Sequence, residues 1–204
     1  MNRPSQLQQD LKLLKYLDNK REGYYVDIGA HDGIDLSNTH LLEKDYDWKG
    51  ICVEPINSEY EKCVVNRPNS ICVNKCIYDH TGKCEFYEVV NKEVSAYNML
   101  SGCLDDIEDK SKQQNGEIIT KECITLTDLL DEHHAPSTID FLSVDTEGSE
   151  LKILQSLDHQ RYNVRYITCE HNYDENKRKQ IREYLESVGY KFYEQNSWDD
   201  IFVK

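Results

Sequence analysis

The fold of this chain is decided in one stretch, Tyr24-Tyr25-Val26-Asp27-Ile28-Gly29-Ala30-His31-Asp32-Gly33. A short apolar run reaches Asp27, and two glycines, Gly29 and Gly33, follow it four positions apart. Such a run is typical of a buried strand, and the glycines are typical of a tight turn where the backbone can approach a ligand closely. The stretch therefore predicts a strand that leads into a ligand-binding turn.

A second apolar run supports a ligand site at this turn. Gly50-Ile51-Cys52-Val53 is interpreted as a second buried strand, and it ends in Glu54-Pro55. An acidic residue about 20 residues beyond the turn is placed to accept hydrogen bonds from a ribose diol. The two runs together predict a cofactor that contains a nucleoside.

The glycine spacing separates the candidate cofactors. A dinucleotide fingerprint, G-x-G-x-x-G, needs a middle glycine to make room for the pyrophosphate, and His31 stands there instead. Asp27 and Asp32 would repel a pyrophosphate and favour cationic groups. S-adenosylmethionine has no phosphate and carries an ammonium and a sulfonium, so it fits better. The alternative is an ordinary strand and turn without a ligand.

The composition fits one α/β domain and disfavours several kinds of partner. The chain has 204 residues, and its 24 Lys and Arg against 38 Asp and Glu give a net charge of −14. Nucleic-acid-binding surfaces are usually basic, and the one dense basic stretch, 176–179, is interpreted as a solvated helix face. No apolar run is long enough to span a bilayer, and the N-terminus is polar. We expect a cytoplasmic protein without a nucleic-acid or membrane partner, and the oligomeric state stays open.

The cysteines do not form a recognisable metal motif. There are eight, and none belongs to a C-x-x-C pair. Most lie in apolar, strand-like runs, so reduced thiols in the core are the expectation and a structural zinc site is not. Their positions are Cys52, Cys63, Cys72, Cys76, Cys84, Cys103, Cys123 and Cys169.

The predicted elements alternate between strands and helices, with one interruption. An N-terminal helix within residues 1–22 is expected to cover one face of the sheet. Residues 84–124 interrupt the order, because 84–90 and 117–124 predict an antiparallel pair and the acidic stretch at about 104–116 predicts a lid. Strands are predicted at 24–28, 50–54, 71–77, 139–144, 164–169, 190–194 and 200–203. Helices are predicted at 37–46, with Ser37 or Asn38 as the cap, at 58–66, from Thr125, at 149–157 and at 174–188.

Polar residues collect where the predicted parallel strands end. Because ligands bind at the carboxyl ends of the strands in open parallel sheets, we expect these side chains to form one site. For any single acid, a role as a solvated loop residue or helix cap is the alternative. The residues are Asp27, Glu54, Asp145, Glu147, Glu170, His171 and Asn172.

Segments between about residues 24 and 190 follow the order found in one known family. They include Val26-Asp27-Ile28-Gly29-Ala30-His31-Asp32-Gly33, Ser37-Asn38-Thr39, Trp48-Lys49-Gly50-Ile51-Cys52-Val53-Glu54-Pro55, Asn66-Arg67, Ile139-Asp140-Phe141-Leu142-Ser143-Val144-Asp145-Thr146-Glu147-Gly148-Ser149-Glu150 and Glu170-His171-Asn172. On these segments the chain resembles the FkbM family of S-adenosylmethionine-dependent methyltransferases. The resemblance implies an α/β class I methyltransferase fold, Rossmann-like, with a seven-stranded, mostly parallel sheet, helices on both faces and a β insertion. It implies one domain over 1–204, with the N-terminal helix at 1–22 and the insertion and lid at 84–124.

The resemblance also implies a function and a set of site residues. It implies methyl transfer from S-adenosylmethionine to a hydroxyl of a sugar, a glycan or another small molecule. The cofactor is expected to contact Asp27, Gly29, His31, Asp32, Gly33, Asn38, Glu54, Ile77 and Asp145. The turn amides are expected to hold its carboxylate, and a side chain at Gly29 is expected to intrude on its amino-acid end. The acceptor is expected over the catalytic candidates Asp145, Glu147, Glu170 and His171.

The mechanism stays open at this point. A hydroxyl needs a base, and histidine has an ordinary pKa near neutrality, which favours His31 or His171. Alternatively, Asp145 and Glu170 would hold Mg²⁺, which lowers the pKa of a bound hydroxyl. The structural alternative for Glu147 and Glu150 is capping of the following helix. Two other functions also remain, a Rossmann-type oxidoreductase with a nucleotide cofactor and a non-catalytic cofactor-binding module.

Overall fold

A computed structural model describes residues 5–89, 101–106 and 116–204 of the chain. The strands are β1 Tyr24–Ile28, β2 Lys49–Val53, β3 Ile71–Val73, β4 Cys76–Ile77, β5 Gly82–Val89, β6 Gly102–Cys103, β7 Gly116–Ile124, β8 Thr138–Ile139, β9 Phe141–Val144, β10 Asn163–Val164, β11 Tyr166–Glu170, β12 Lys191–Asn196 and β13 Asp199–Val203. The helices are α1 Gln9–Tyr16, α2 His40–Tyr46, α3 Asn57–Asn66, α4 Leu126–Glu132, α5 Glu150–Gln155 and α6 Glu175–Ser187. Within the described ranges, no helix is long and apolar enough to cross a bilayer.

Seven strands form the main sheet, in the order β12-β13-β11-β9-β1-β2-β3. β1 pairs in parallel with both β2 and β9, while β13 runs antiparallel to its neighbours β11 and β12. The chain therefore moves outward from β1 to β3, then returns to the other side of β1. The carboxyl ends of β1 and β9 flank this reversal, which is where open α/β sheets bind ligands. The predicted α/β sheet of seven mostly parallel strands is confirmed.

Helices cover both faces of the main sheet. On one face, Leu13 and Leu14 of α1 and Leu42 of α2 pack with Tyr25 and Phe141 of the sheet. The opposite face buries apolar side chains of α4, α5 and α6 against those of β1, β2, β9 and β11. Burial of apolar surface on both faces explains why the central strands are nearly continuous apolar runs. The N-terminal helix covers one sheet face as predicted.

Several predicted strands are shorter than expected, and each breaks for a local reason. The strand predicted at 71–77 divides into β3 and β4 because the Asn74 amide donates to the carbonyls of Glu54 and Pro55 (2.9 and 3.0 Å) and turns the chain. The strand predicted at 139–144 divides at Asp140, whose carboxylate accepts from the Tyr24 amide (3.1 Å). The strand predicted at 164–169 divides at Arg165, whose amide donates to the Ile139 carbonyl at 2.9 Å, and β10 pairs with β8 in a separate two-stranded sheet. Polar side chains that bind backbone compete with the ladder at the first two of these points.

A second sheet of four strands, in the order β4-β7-β5-β6, lies beyond β3 in the chain. β5 and β7 pair antiparallel along their whole length, from Gly82 opposite Cys123 to Val89 opposite Gly116. This is the pairing predicted for 84–90 and 117–124. Most of the predicted lid, 107–115, lies outside the described residues.

The helix boundaries also shift. α2 begins at His40, later than predicted, because the Ser37 hydroxyl accepts from the amides of Thr39 and His40 (3.2 and 3.1 Å) in a turn before the helix. α6 begins at Glu175, where the Asp174 side chain caps the first turn. Hydroxyl and carboxylate side chains satisfy amides that a helix start leaves unpaired.

Candidate functional site

A cavity of about 460 Å³ opens at the carboxyl ends of β1, β2, β9 and β11 and reaches the second sheet. That volume is in the range of small-molecule and cofactor sites. Nine of the predicted site residues line the cavity: Asp27, Gly29, His31, Asn38, Glu54, Ile77, Asp145, Glu147 and Glu170. Asp32, Gly33 and His171 do not. Most of the predicted site residues therefore line the cavity, and three need another explanation.

The turn after β1 depends on glycine for a reason that the structure itself shows. Gly29 has φ +89°, and a Cβ there would lie 2.0 Å from the backbone oxygen of Asp145. A side chain would therefore collide with the neighbouring strand end, and the expected clash with the cofactor stays a prediction. Gly33 has φ +81°, and its Cβ would lie 2.7 Å from the Arg67 side chain. Both glycines serve close packing of the turn.

The turn amides are already occupied by protein acceptors. Those of Gly29 and Ala30 both donate to the Val53 carbonyl at 3.0 Å, and that of Gly33 donates to the Ala30 carbonyl at 2.9 Å. The His31 amide donates to the Glu54 carboxylate at 2.8 Å. The prediction that the turn amides hold a ligand carboxylate therefore gains no support from these four amides. They fix the turn against β2 instead.

Glu54 links the two loops that form one wall of the cavity. Its carboxylate accepts from the amides of His31 and Ile56, each at 2.8 Å, and the residue is 5% exposed. Burial raises the pKa of Glu54 to about 7, although these two hydrogen bonds oppose the shift. A carboxylate has about four lone-pair sites, so acceptor capacity remains toward the cavity.

A buried arginine that the sequence did not identify as functional holds the turn from behind. Arg67 is 1% exposed; its Nε donates to Glu43 Oε2 at 2.7 Å, and its Nη2 donates to Thr39 Oγ1 at 2.9 Å. Thr39 Oγ1 donates in turn to Asp27 Oδ2 at 2.6 Å. This chain of contacts joins α2 and the segment after α3 to the end of β1. In the sequence, Arg67 is marked only by the Asn66-Arg67 segment of the family resemblance, and that segment does not predict that the side chain is buried.

Asp32 shapes the turn and does not face the cavity. Its Oδ1 accepts from the amides of Ile34 and Asp35, both at 2.8 Å. This is the local side chain to backbone pattern typical of aspartate in turns. Its neighbour His31 does line the cavity, with a left-handed φ of 49° and with Nε2 3.5 Å from Glu59 Oε2.

Asn38 presents an unused acceptor to the cavity. Its Nδ2 donates to Ser143 Oγ at 2.9 Å, which fixes the amide orientation. Its Oδ1 is buried and has no hydrogen-bond partner among the described residues. A buried acceptor without a partner is costly, so a ligand donor would stabilise it. Asp27 lies beside it on β1, and burial raises the pKa of Asp27 to about 6.

Two carboxyl groups meet on the opposite wall. Asp145 follows β9, Glu170 ends β11, and their side chains share a hydrogen bond. Asn172 Nδ2 donates to Glu170 Oε2 at 3.0 Å. Burial, followed by nearby Asp199 and Glu150, raises the pKa of Asp145 to about 7; burial and Asp145 raise the pKa of Glu170 further. Two carboxylates in contact cannot both ionise easily, so the pair retains a proton near neutral pH.

The two neighbouring acids have different surroundings: Glu150 binds backbone amides, whereas Glu147 lines the cavity. Glu150 Oε1 accepts from the amides of Thr146 and Gly148 (3.0 and 3.2 Å), and Lys177 Nζ lies 2.7 Å from its Oε2. Glu150 therefore orders the turn before α5, as the capping alternative predicted. Glu147 lines the cavity, with a left-handed φ of 54°.

The predicted magnesium site gains no support from this geometry. In the described part of the chain, only one set of three or more potential ligand residues has its ligand atoms within 4.8 Å of one another, and it consists of cysteines. Asp145 and Glu170 therefore lack a third carboxylate or histidine at that spacing.

His171 is directed away from the cavity. Its Nδ1 accepts from the Tyr173 amide at 3.1 Å, its Nε2 lies 3.6 Å from Asp200 Oδ1, and it is 1% exposed. Burial lowers the pKa of His171. The interpretation of His171 as a catalytic base is therefore not supported, because the ring lies beside Asp200 of β13 and does not line the cavity.

The sequence did not identify the residues that close the cavity from the two chain ends. Gln6 and Gln9 line it from the N-terminal segment, and Trp198 lines it from the turn between β12 and β13. Gln9 Nε2 donates to Asp199 Oδ2 at 2.8 Å, which joins the two segments. They lie 190 positions apart, so no local pattern indicates this contact.

The comparisons with known proteins agree with this fold and identify a family. The family model of the methyltransferase FkbM domain matches residues 27–192. No curated protein matches the chain. Among solved structures, the METTL16 MTase domain shares the fold with a TM-score of 0.51 and 12% identity over 97% of this chain, which spans 65% of that structure. The precorrin-6y C5,15-methyltransferase from Geobacter metallireducens GS-15 has a TM-score of 0.51 and 13% identity over 96% of this chain and 86% of its own.

Proposed function

Because this chain belongs to the methyltransferase FkbM family, we propose that it methylates a hydroxyl oxygen of a sugar or another small molecule. Family membership makes it an S-adenosylmethionine-dependent methyltransferase. The acceptor class is the part that we propose. One observation carries it, the protonated pair of Asp145 and Glu170 in the cavity wall.

The residues of the first wall fit an S-adenosylmethionine molecule. The unused Asn38 Oδ1 and the buried Asp27 suit an ammonium donor, and Glu54 has acceptor capacity for ribose hydroxyls. Ile56 and Ile77 add apolar surface of the kind that an adenine ring needs. S-adenosylmethionine supplies an electrophilic methyl group when bound. The protein must therefore supply binding, orientation and a base.

The second wall supplies the groups that a hydroxyl acceptor needs. A hydroxyl is a weak nucleophile until its proton is taken, and a carboxylate of the pair with a pKa near 7 can take it. Asn172 and Trp198 line the same end of the cavity. An amide with both donor and acceptor and a flat aromatic face suit the hydroxyls and the apolar face of a sugar. Glu147 is then placed to accept from a further hydroxyl.

The charge of the chain favours a small neutral acceptor over a nucleic acid. The net charge of −14 and the acids of the cavity wall would repel a phosphate backbone. All eight cysteines are free thiols, which fits the reducing cytoplasm. We therefore propose a soluble sugar or another cytoplasmic metabolite as the acceptor.

A methyl-transfer assay tests the proposal. The protein is incubated with S-adenosylmethionine labelled in the methyl group and with a panel of sugars, polyols, phenols, amines and RNA, and products are analysed by mass spectrometry. We expect the label on an oxygen of one hydroxyl acceptor, and its loss in Asp145→Asn. Transfer only to nitrogen or to RNA would contradict the acceptor class. Parallel reactions with a chelator test the metal route. If the chelator abolishes activity and Mg²⁺ restores it, a bound cation rather than a carboxylate of the pair activates the hydroxyl.

A further inference from the structure

The second sheet collects half of the cysteines of the chain. Each of its four strands contributes one: Cys76 on β4, Cys84 on β5, Cys103 on β6 and Cys123 on β7. All four are buried, with exposed fractions between 3% and 8%. Positions 76, 84, 103 and 123 are far apart in sequence and show no metal-binding spacing. Strand pairing alone brings them together.

The register of the strands places these thiols on one side of the second sheet. Cys76 pairs directly with Cys123 across β4 and β7. Cys103 is opposite Phe86 across β5 and β6, and Cys84, two positions earlier, is on the same face as Phe86. The four thiols share a small apolar cluster with Ile56, Tyr78 and Phe86.

Three of the four sulfurs have the spacing of a tetrahedral metal site. The Sγ atoms of Cys76, Cys84 and Cys103 all lie within 4.8 Å of one another, and Cys103 Sγ is 3.9 Å from Cys84 Sγ. Four sulfurs at about 2.3 Å from Zn²⁺ lie about 3.8 Å apart, whereas a disulfide needs about 2.05 Å. Cys123 lies outside that set of three, but it has a hydrogen bond with Cys84, and its Sγ lies 3.6 Å from His80 Nε2. Cys123 is therefore the neighbouring thiol that can complete the shell.

A shared ion would join strands that have little pairing of their own. Two of the strands that carry the group, β4 and β6, have only two residues each. Small cores of this kind are commonly fastened by disulfides or metals.

We propose that Cys76, Cys84, Cys103 and Cys123 bind one thiophilic divalent cation, with Zn²⁺ as the best fit. Binding releases the four thiol protons and leaves four sulfur–metal bonds, with no change of oxidation state. The ion joins all four strands of the second sheet. Because Cys76 and Cys103 also line the cavity, the ion fixes the wall that carries Ile77. The site is separate from the proposed methyl-transfer chemistry and stands or fails independently of it.

Metal analysis of the purified protein tests the proposal. The protein is stripped with a chelator in reducing buffer, reloaded with Zn²⁺ or Co²⁺ and weighed by native mass spectrometry. We expect one ion per chain and, with Co²⁺, the absorption of thiolate-to-metal charge transfer. Cys84→Ser should lose both, while Cys72→Ser, which removes a thiol 3.7 Å from Cys63 in the main domain, should keep both. Equal binding by Cys84→Ser and wild type, or no ion at micromolar Zn²⁺, would overturn the proposal.

Alkylation of the wild-type protein tests the site without a substitution. Zn²⁺ should slow the alkylation of Cys76, Cys84, Cys103 and Cys123 at least tenfold and leave Cys63 and Cys72 unchanged. Peptide mass spectrometry after timed iodoacetamide treatment reads each cysteine separately. Equal protection of all cysteines, or no protection of any, would contradict a site in the second sheet. A Cys84–Cys103 disulfide that forms in reducing buffer would also contradict it.

Discussion

The two walls of the cavity use the same residue type in opposite ways. On the wall after β1 and β2, the carboxylates of Asp27 and Glu54 accept hydrogen bonds from Thr39 and from backbone amides. On the wall after β9 and β11, the carboxyl groups of Asp145 and Glu170 contact each other. The first arrangement fixes a binding surface, and the second makes two carboxyl groups share a hydrogen bond with each other. The role of each acid therefore depends on its hydrogen-bond partners and not on its residue type.

The physical reason is the supply of donors. Backbone amides and Thr39 donate to the acids of the first wall, and the buried Arg67 holds Thr39 in place. Within the described ranges, the Asn172 amide is the side-chain donor to Glu170 besides Asp145, so proton sharing offsets the cost of burial. A site that must both bind a cofactor and remove a proton needs both kinds of wall.

The largest expected effect tests the wall that carries Asp145 and Glu170. Asp145→Asn keeps the size of the side chain but removes a carboxylate from the pair, and turnover should fall about 10²–10⁴-fold. Cofactor affinity by calorimetry should change much less, because Asn38 and Glu54 remain. Initial rates with a saturating acceptor provide the measurement.

His171→Ala is the matched control for that substitution. Its ring lies next to the same strand end but faces Asp200 and the Tyr173 amide rather than the cavity. We expect a lower melting temperature with nearly unchanged turnover per folded molecule. If His171→Ala loses as much turnover as Asp145→Asn, the assignment of the base to the carboxyl pair is wrong.

The next effect tests what holds the binding wall. Arg67→Met should lower the free energy of unfolding by about 3–5 kcal/mol, because Glu43 keeps a buried charge without its partner. Urea denaturation gives this number. Arg161→Met breaks an exposed pair with Asp131 and should change stability little. Equal effects of the two substitutions would show that the buried network does not support the turn.

A smaller effect tests cofactor recognition at Glu54. Glu54→Ala should weaken binding of S-adenosylmethionine at least tenfold, since removing an acceptor from a buried donor costs about 1–3 kcal/mol. Glu61→Ala, on the exposed side of α3, serves as the control and should bind normally. Calorimetry of both variants at one temperature is the measurement. Unchanged affinity in Glu54→Ala would remove Glu54 from the ribose site.

The smallest effect is a pH dependence of stability. Asp145 and Glu54 have pKa values raised to about 7, so the folded state holds their protons more tightly than the unfolded state. Their contribution is complete below about pH 4 and is lost as the pH rises through about 7. Glu43 acts in the opposite direction, because hydrogen bonds from Ser70 and Arg67 outweigh burial and lower its pKa, but that contribution is lost only in acid.

Thermal melts of the ligand-free protein measure this dependence. The melting temperature should be higher at pH 5.5 than at pH 8. The slope should shrink in the Asp145→Asn and Glu54→Gln double variant, which removes both groups. A wild-type melting temperature that rises over this interval would contradict the raised pKa values of the two walls.

The sequence predicted the path of the main chain better than the roles of its side chains. Alternation of apolar runs with amphipathic segments was enough for seven strands, because burial of both sheet faces forces that pattern. The strand breaks at Asn74 and Asp140 were missed, since they depend on side chains that bind backbone far along the chain. The need for glycine at position 29 was predicted from the turn, but its close approach to the Asp145 carbonyl oxygen was not.

What the sequence determined by itself is the family, the sheet and the acids that line the cavity at the strand ends. Motifs at strand ends are local, and parallel strands bring their carboxyl ends to one edge, so Asp27, Glu54, Asp145 and Glu170 could be placed together in advance. Only the tertiary structure decided which acid binds a backbone amide, which shares a proton, and that His171 faces away. It also decided that four cysteines meet in the second sheet, because thiol convergence depends on strand register between distant segments, which no local spacing encodes.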